Sequence, residues 1–369
     1  MKKYLCAALC LLLLMLPLTG CGNEGSGQSE QITLNVYNWG QYISDGSDDS
    51  LDVIAAFEER YPHIKVNYST YDSNEVMYTK LAGGGITVDV IIPSDYMIAR
   101  MIEEGMLLEL NYDNIPNYQY IAEEFRGMAY DPEEKYTVPY AWGTVGIIYN
   151  TQYVDEADVT GWELMWNEKY DDKILMFDNS REAFGIAQLM LGYNLNITDE
   201  AELRQCADLL AKQKPLVQQY VMDQIYDLMQ NEEAWIAACY AGDYVVMAEE
   251  NENLAFYRPE GSFNLFMDAM CIPTCCQQKE AAELFINFLC EPEIAAGNMD
   301  WIAYSTPLNR EVMAEYMDAE VLEDPIAYPS TEIIEDANQR GHVFTNLPPA
   351  VSRLMESLFL EARIRWFRS

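Results

Sequence analysis

The chain has 369 residues, half of them hydrophobic, enough for two domains at roughly 150 residues each. Its formal charge is −38, from 60 Asp and Glu against 22 Lys and Arg. That balance excludes nucleic acid as a partner, because phosphate binding rests on clustered basic side chains. Acidity of this degree keeps a protein soluble and concentrates cations only within about 8 Å at physiological salt.

The chain opens with Met1-Lys2-Lys3, an almost unbroken apolar run over 5–16, and then Leu18-Thr19-Gly20-Cys21. A short basic start, an apolar centre and small residues before a cut make an export signal. The run is shorter than the ~20 apolar residues of a membrane span. Leu-Thr-Gly-Cys also resembles the lipobox of bacterial lipoproteins, which implies that residues 1–20 are removed and that Cys21 is lipidated as the mature N-terminus. The alternative is an ordinary secretory signal with a chance cysteine. The expected place is outside the cytoplasm, on a lipid anchor at Cys21, in the periplasm or on the outer face of the cytoplasmic membrane. Losing Lys2 and Lys3 with the leader takes the charge from −38 to −40.

Residues 21–30 are a Gly/Ser-rich tether. Alternation of Ile32, Leu34 and Val36 predicts a first strand, ending at Tyr37-Asn38-Trp39-Gly40. An acidic turn, Asp45 to Asp49, reads as the N-cap of a helix over 51–58. A strand over 64–68, a helix over 74–82 stopped by Gly83-Gly84-Gly85, and a strand over 88–92 follow. Strands alternating with helices imply parallel βαβ units with ligands at the carboxyl ends of the strands. Trp39 and Tyr42 follow one such end, and Ser94 and Tyr96 another.

Residues 137–150 read as extended, rich in aromatic and β-branched side chains. A second alternating region covers 162–170, a strand near 174–177, helices near 182–191 and 200–213, and 237–246. Residues 265–273 are extended again, and 280–289 form a helix ending at Glu291-Pro292. Two βα regions linked by extended segments suggest two lobes with a cleft between them. Of nine cysteines, Cys6 and Cys10 leave with the leader and Cys21 carries lipid. Cys206, Cys239, Cys271, Cys275, Cys276 and Cys290 remain, and the apolar surroundings of Cys239, Cys271 and Cys290 favour buried free thiols over disulfides.

No G-x-S-x-G elbow, P-loop, H-E-x-x-H or dinucleotide G-x-G-x-x-G is present, so no cofactor or metal is expected. His63 and His342 alone give little material for a triad or a multi-His centre. Two carboxylates suffice for glycoside hydrolysis, which stays open as the enzyme alternative. The prominent pattern is aromatic residues and acids at predicted strand ends: Trp39 with Tyr42, Ser94 with Tyr96, Glu182 after Asp178-Asn179, Tyr240 with Asp243, Phe266 with Asp268, and Tyr304. Each alone is more often a core residue. Together they suit an alkyl chain carrying ammonium groups, because rings pack methylenes and attract adjacent cations while carboxylates bind the ammonium ends. An amino-acid carboxylate would want an arginine, and only Arg181 lies near these positions. Another organic cation would satisfy the same chemistry.

From Ile32 to its C-terminus the chain resembles the spermidine/putrescine-binding proteins of bacterial ABC importers. The marks, in order, are Tyr37-Asn38-Trp39 with Tyr42, Tyr68-Ser69-Thr70-Tyr71 with Ser73-Asn74-Glu75, and Met77-Tyr78-x-Lys80-Leu81. Then come Pro93-Ser94-x-Tyr96, Pro139-Tyr140-x-Trp142-Gly143, Ser180-Arg181-Glu182, Phe266-Met267-Asp268, Ile286-Asn287-Phe288-Leu289 and Thr306-Pro307-x-Asn309. The resemblance implies aromatic walls at Trp39, Tyr42 and Tyr96, a polar contact at Ser94, and ammonium-binding carboxylates at Glu182 and Asp268. It further implies a hydrogen-bonding wall at Tyr304 and a late polar contact at Gln339. Asn179 stands where spermidine binders carry an aspartate, which leaves Asp178 or Asp243 to restore the charge. Tyr240 and Phe266 stand where tryptophan is frequent.

The implied fold is α/β, a two-lobed type II periplasmic-binding-protein architecture with lobe one at 31–138 plus 267–312 and lobe two at 139–266 plus 313–369. The implied function is a monomeric, non-enzymatic polyamine receptor that closes on its ligand by a hinge and delivers it to ABC permease subunits.

Overall fold

The computed structural model describes residues 31–364, so the expected signal peptide, tether and Cys21 lie outside the described residues. Among these, nine strands form one mixed sheet. They are β1 (Ile32–Trp39), β2 (Ile64–Tyr71), β3 (Val90–Ile91), β4 (Thr137–Asn150), β5 (Ile174–Phe177), β6 (Val217–Val221), β7 (Ile236–Tyr240), β8 (Leu254–Tyr257) and β9 (Leu265–Cys271). The order is β2-β1-β3-β9-β4-β7-β5-β6, with β8 paired on β4.

β1 lies parallel to β2 and β3, and β5 lies parallel to β6 and β7. The antiparallel run β3-β9-β4-β7 joins these two parallel halves. β4 is the shared strand: Thr137 to Thr144 pair with β9, and Val145 to Tyr149 pair with β7. Every β4 residue except Tyr149 is buried. A continuous apolar and β-branched run is what a strand covered on both faces requires.

Several local expectations change. The third strand shrinks to Val90–Ile91 because Asp89 uses its carboxylate on backbone amides, accepting from Asn35 N and from Gln277 N at 2.8 Å each. The helix near 51–58 is Val53–Arg60, and its N-cap is Asp52, which accepts from Ala55 N at 2.8 Å. The cluster at 45–49 does not cap it: Asp45 accepts from Ser47 N, while Asp48 and Asp49 adopt positive φ. Residues 162–170 form two short 3-10 turns, and 237–246 divides into β7 and the helix Ala241–Glu250.

Helices cover both faces of the sheet. Phe57 on Val53–Arg60 meets Phe285 and Phe288 of helix Lys279–Leu289 edge to face, at 5.0 and 5.4 Å. Trp142, Tyr170 and Phe184 are also fully buried. All six described cysteines are unpaired, with Cys206, Cys239, Cys271 and Cys290 buried and Cys275 and Cys276 half-buried.

Candidate ligand-binding site

The residues that follow the carboxyl ends of β1, β2, β3, β5, β6 and β7 converge on one cavity, together with Phe266 and Asp268 of β9. Eleven of the twelve sequence candidates line it: Trp39, Tyr42, Ser94, Tyr96, Asn179, Glu182, Tyr240, Asp243, Phe266, Asp268 and Tyr304. Gln339 is the correction. Helix Glu332–Arg340 buries Ile334 and Ala337, which turns Gln339 to solvent, where its amide donates to Glu335 at 3.0 Å. Asp178 also faces away from the cavity, engaged by Arg363.

The cavity offers about 80 Å³ to the centres of water molecules, room for roughly five to eight at about 10–15 Å³ apiece. Aromatic rings enclose it in a connected series. Tyr42, Tyr304, Phe266 and Tyr240 follow one another edge to face, with centroid separations of 5.3, 5.9 and 5.4 Å, and Tyr140 backs Tyr42 from behind at 5.4 Å. Trp39 packs on Tyr71 at 4.8 Å and donates its indole N–H to Ile92 O at 2.9 Å, which fixes that wall from behind.

Asp268 sits on β9, bridged to Ser94 across the sheet. Tyr42 Oη donates to its Oδ2 at 2.6 Å, and Tyr42 is itself held because Tyr140 donates to the Tyr42 carbonyl at 2.7 Å. Oδ1 of Asp268 is buried with no partner. Burial raises this carboxyl to about 6, against the lowering effect of the nearby Ser94 hydroxyl and of the Tyr42 bond. An unpartnered buried carboxylate oxygen is costly, and a bound cation relieves that cost.

Asp243 lies in the first turn of helix Ala241–Glu250. Its Oδ1 accepts from Tyr304 Oη at 2.6 Å and from Tyr226 Oη at 2.9 Å. Gly242 makes the first of these possible, since a Cβ there would lie 2.7 Å from the Tyr304 ring. Burial raises Asp243 to about 6, with the two tyrosine bonds opposing. Glu182, in the first turn of helix Ser180–Met190, is raised to about 7, chiefly by burial and partly offset by Tyr240 and Arg181. Asn179 caps that helix, accepting from Arg181 N at 2.8 Å and Glu182 N at 3.3 Å, and its amide donates to Glu75 at 3.3 Å. The asparagine is thus committed to positioning, and Asp243 supplies the additional cavity carboxylate.

Sequence reasoning missed Tyr71, Asp72, Asp95, Asp223, Tyr226 and Phe344 on the lining. Tyr71 and Asp72 close β2, so the strand-end rule would have found them had it been applied there. Asp223 follows β6, a strand that the hydropathy pattern did not reveal. Asp95 accepts from Tyr96 N at 2.6 Å, and burial pushes its carboxyl well above the ordinary value. Phe344 arrives from distant chain, and no local signal marks it. At the mouth, a Cβ on Gly40 would lie 2.7 Å from Asp223 Oδ2. Burial and then the facing Asp72 raise the Asp223 carboxyl.

A family profile described as bacterial extracellular solute-binding protein matches residues 52–329. A spermidine/putrescine-binding periplasmic protein of Salmonella typhimurium is 30% identical over 323 residues, 87% of this chain and 90% of that protein. A Listeria monocytogenes structure, described provisionally as a spermidine/putrescine ABC transporter, aligns with a TM-score of 0.82 and 36% identity, covering 90% of this chain and 99% of that one. The TpPotD lipoprotein of Treponema pallidum aligns at 0.77 and 29% identity, over 90% of this chain and 100% of that one. The fold is the two-lobed α/β architecture of periplasmic binding proteins, with the cleft between the lobes.

Proposed function

Because the chain belongs to the bacterial extracellular solute-binding protein family, we propose that it captures a polyamine, spermidine or putrescine, for an ABC importer. Proteins of this family bind solutes for transport and are not enzymes, which removes the glycoside-hydrolase alternative. The observation that carries the polyamine reading is the cavity itself. Asp268, Asp243 and Glu182, all raised by burial, stand among a continuous series of rings around a slender space. Rings pack methylenes and attract cations at ~0.5–2 kcal/mol per contact, and charge-assisted bonds hold the ammonium ends.

In this reading lobe one is 31–138 plus 267–312, lobe two is 139–266 plus 313–369, and the chain acts as a monomer. The amine touches both lobes and favours the closed form, which then docks on the permease subunits. Titration calorimetry of the leaderless protein against putrescine, spermidine, amino acids and sugars tests this. Heat from a sugar or an amino acid, with none from either amine, sinks the reading; heat from a different organic cation redirects it. Lipidation at Cys21 is the second part of the proposal, supported by Leu18-Thr19-Gly20-Cys21 and by the T. pallidum relative being a lipoprotein. Cys21→Ser should release the protein from membranes into the soluble fraction; unchanged membrane association removes the anchor.

A further inference from the structure

A second and larger depression lies beside the cavity and shares Tyr96 and Asn179 with it. It offers about 530 Å³ to water centres, against about 80 Å³ in the cavity. Its chemistry is inverted. Arg100, Arg181, Arg353 and Arg363 line it, four of the chain's twelve arginines, on a protein of charge −38. Four helices also begin on its walls: Asn74–Ala82, Asp95–Glu103, Ser180–Met190 and Pro349–Ile364 each contribute residues of their first turn. Helix N-termini and guanidinium groups both favour negative charge.

Three carboxylates border the groove. Asp178 is engaged by Arg363, Glu75 accepts from Tyr96 Oη at 2.9 Å and from Asn179 at 3.3 Å, and Glu356 is exposed. Arg100 pairs with Glu104 at 3.0 Å and stacks over Tyr78, whereas Arg353 makes no ion pair among the described residues. Arg181 is the decisive group. It is 5% exposed, lies 4.3 Å from the centroid of Phe344, and spends Nη2 on Asn196 Oδ1 and Thr345 O at 2.8 and 3.3 Å. Its Nε and Nη1 are buried with no acceptor, and although the charges of Glu182, Asp95 and Glu75 act on it, none forms an ion pair with it among the described residues. A guanidinium buried with two idle donors is a strong reason to look for an anion.

We propose that this groove is a second binding site, for a small organic anion whose carboxylate or phosphate oxygens face Arg181 and Arg353. Met97, Leu347, Met355 and Phe359 give the rest of the molecule an apolar bed. The site does not depend on the polyamine reading, and its test does not use an amine.

The test is a titration of the leaderless protein with inorganic phosphate and with hexanoate, at ionic strength held constant with chloride. The signal is the Nε–H resonance of Arg181, read by nuclear magnetic resonance. A saturable shift is expected, with hexanoate tighter if a carboxylate on an apolar body is preferred and phosphate tighter if a phosphoryl group is. Arg353→Gln should weaken that binding by about threefold to tenfold, and Arg60→Gln, outside the groove, should leave it unchanged. Arg181→Lys reports on the same site if it folds, and Arg353→Gln decides the matter if it does not. Saturation by neither probe, a shift that chloride reproduces, or equal weakening in Arg60→Gln overturns the proposal.

Discussion

The two carboxylate ends of the cavity differ in how far the protein itself completes them. Asp243 already has two phenolic donors on one oxygen, Tyr226 from its own surroundings and Tyr304 from the chain segment beyond β9. Asp268 has one, Tyr42, with the Ser94 hydroxyl near enough to lower its carboxyl, and its other oxygen is buried without a hydrogen-bond donor. Burial raises both to about 6, so the contrast lies in partners rather than in desolvation. The lesson is that equal acids in one cavity need not be equal ligand contacts. One oxygen of Asp243 is already satisfied by the protein's own hydroxyls, whereas Asp268 keeps a buried oxygen that only a ligand donor would satisfy.

The largest expected effect tests the Asp268 end. Asp268→Ala should cost polyamine affinity ~2–5 kcal/mol, because it strands an ammonium without its counter-charge. Calorimetric titration of a variant with native circular dichroism measures it. Unchanged affinity would remove Asp268 from the site and break the contrast at its stronger end. Asp243→Ala should cost less, ~1–3 kcal/mol, mainly by leaving the Tyr304 and Tyr226 hydroxyls without their acceptor. Small-angle scattering should then show a more open ligand-free chain than Asp268→Ala gives. A loss equal to that of Asp268→Ala, with no change in scattering, would make both ends ligand contacts of the same kind.

The fold and most of this site were legible in the chain for a definite reason. Alternation of Ile32, Leu34 and Val36 located β1, and its carboxyl end delivered Trp39 and Tyr42 to the cavity. The same rule works wherever hydropathy marks a strand. It fails at β6, whose Gln218, Gln219 and Tyr220 are partly or fully open to solvent and dilute the apolar signal, so Asp223 was invisible. Gln339 failed differently: the family resemblance placed it, whereas the buried Ile334 and Ala337 face of its helix dictates where it points. Asp89 shows why β3 is short, since a side chain that competes for backbone amides ends a ladder without changing the apolar pattern. The Asp243 bond depends on Asp243 and Tyr304 meeting across 61 residues, with Gly242 leaving room for the ring, a contact no local pattern encodes.

The pH dependence takes its sign from the raised values. In the ligand-free protein Asp268 and Asp243 titrate near 6 and Glu182 near 7, above the ordinary carboxylate value of ~4. The native state therefore holds these protons more tightly than the unfolded chain. The stability they contribute is fully present below about pH 4 and is lost as pH rises through about 6–7. An ammonium reverses the preference by favouring the ionised forms. Amine affinity should then fall by about tenfold per group for each pH unit below its pKa, and binding should release protons between about pH 5 and 7. Calorimetry in two buffers of different ionisation enthalpy counts those protons; a flat profile with none released would mean that the three acids bind no ammonium.

The smallest effect concerns the mouth, where Gly40 faces Asp223 with no side chain between them. A methyl group on Gly40 would sit 2.7 Å from Asp223 Oδ2, and that oxygen is the end of a side chain with solvent beside it. Asp223 can swing aside, so Gly40→Ala should cost about 1 kcal/mol of amine affinity rather than the larger penalty of an overpacked core. Swinging aside also moves Asp223 away from Asp72, whose charge raises its carboxyl, and this relief offsets part of the steric loss. Asp223→Ser should restore affinity in the Gly40→Ala background if contact at the mouth is the whole effect. Failure of that rescue, with the loss persisting in the double variant, would show that Gly40 matters for the path of β1 into Trp39, and the mouth would join the ring wall rather than stand as a separate point of closure.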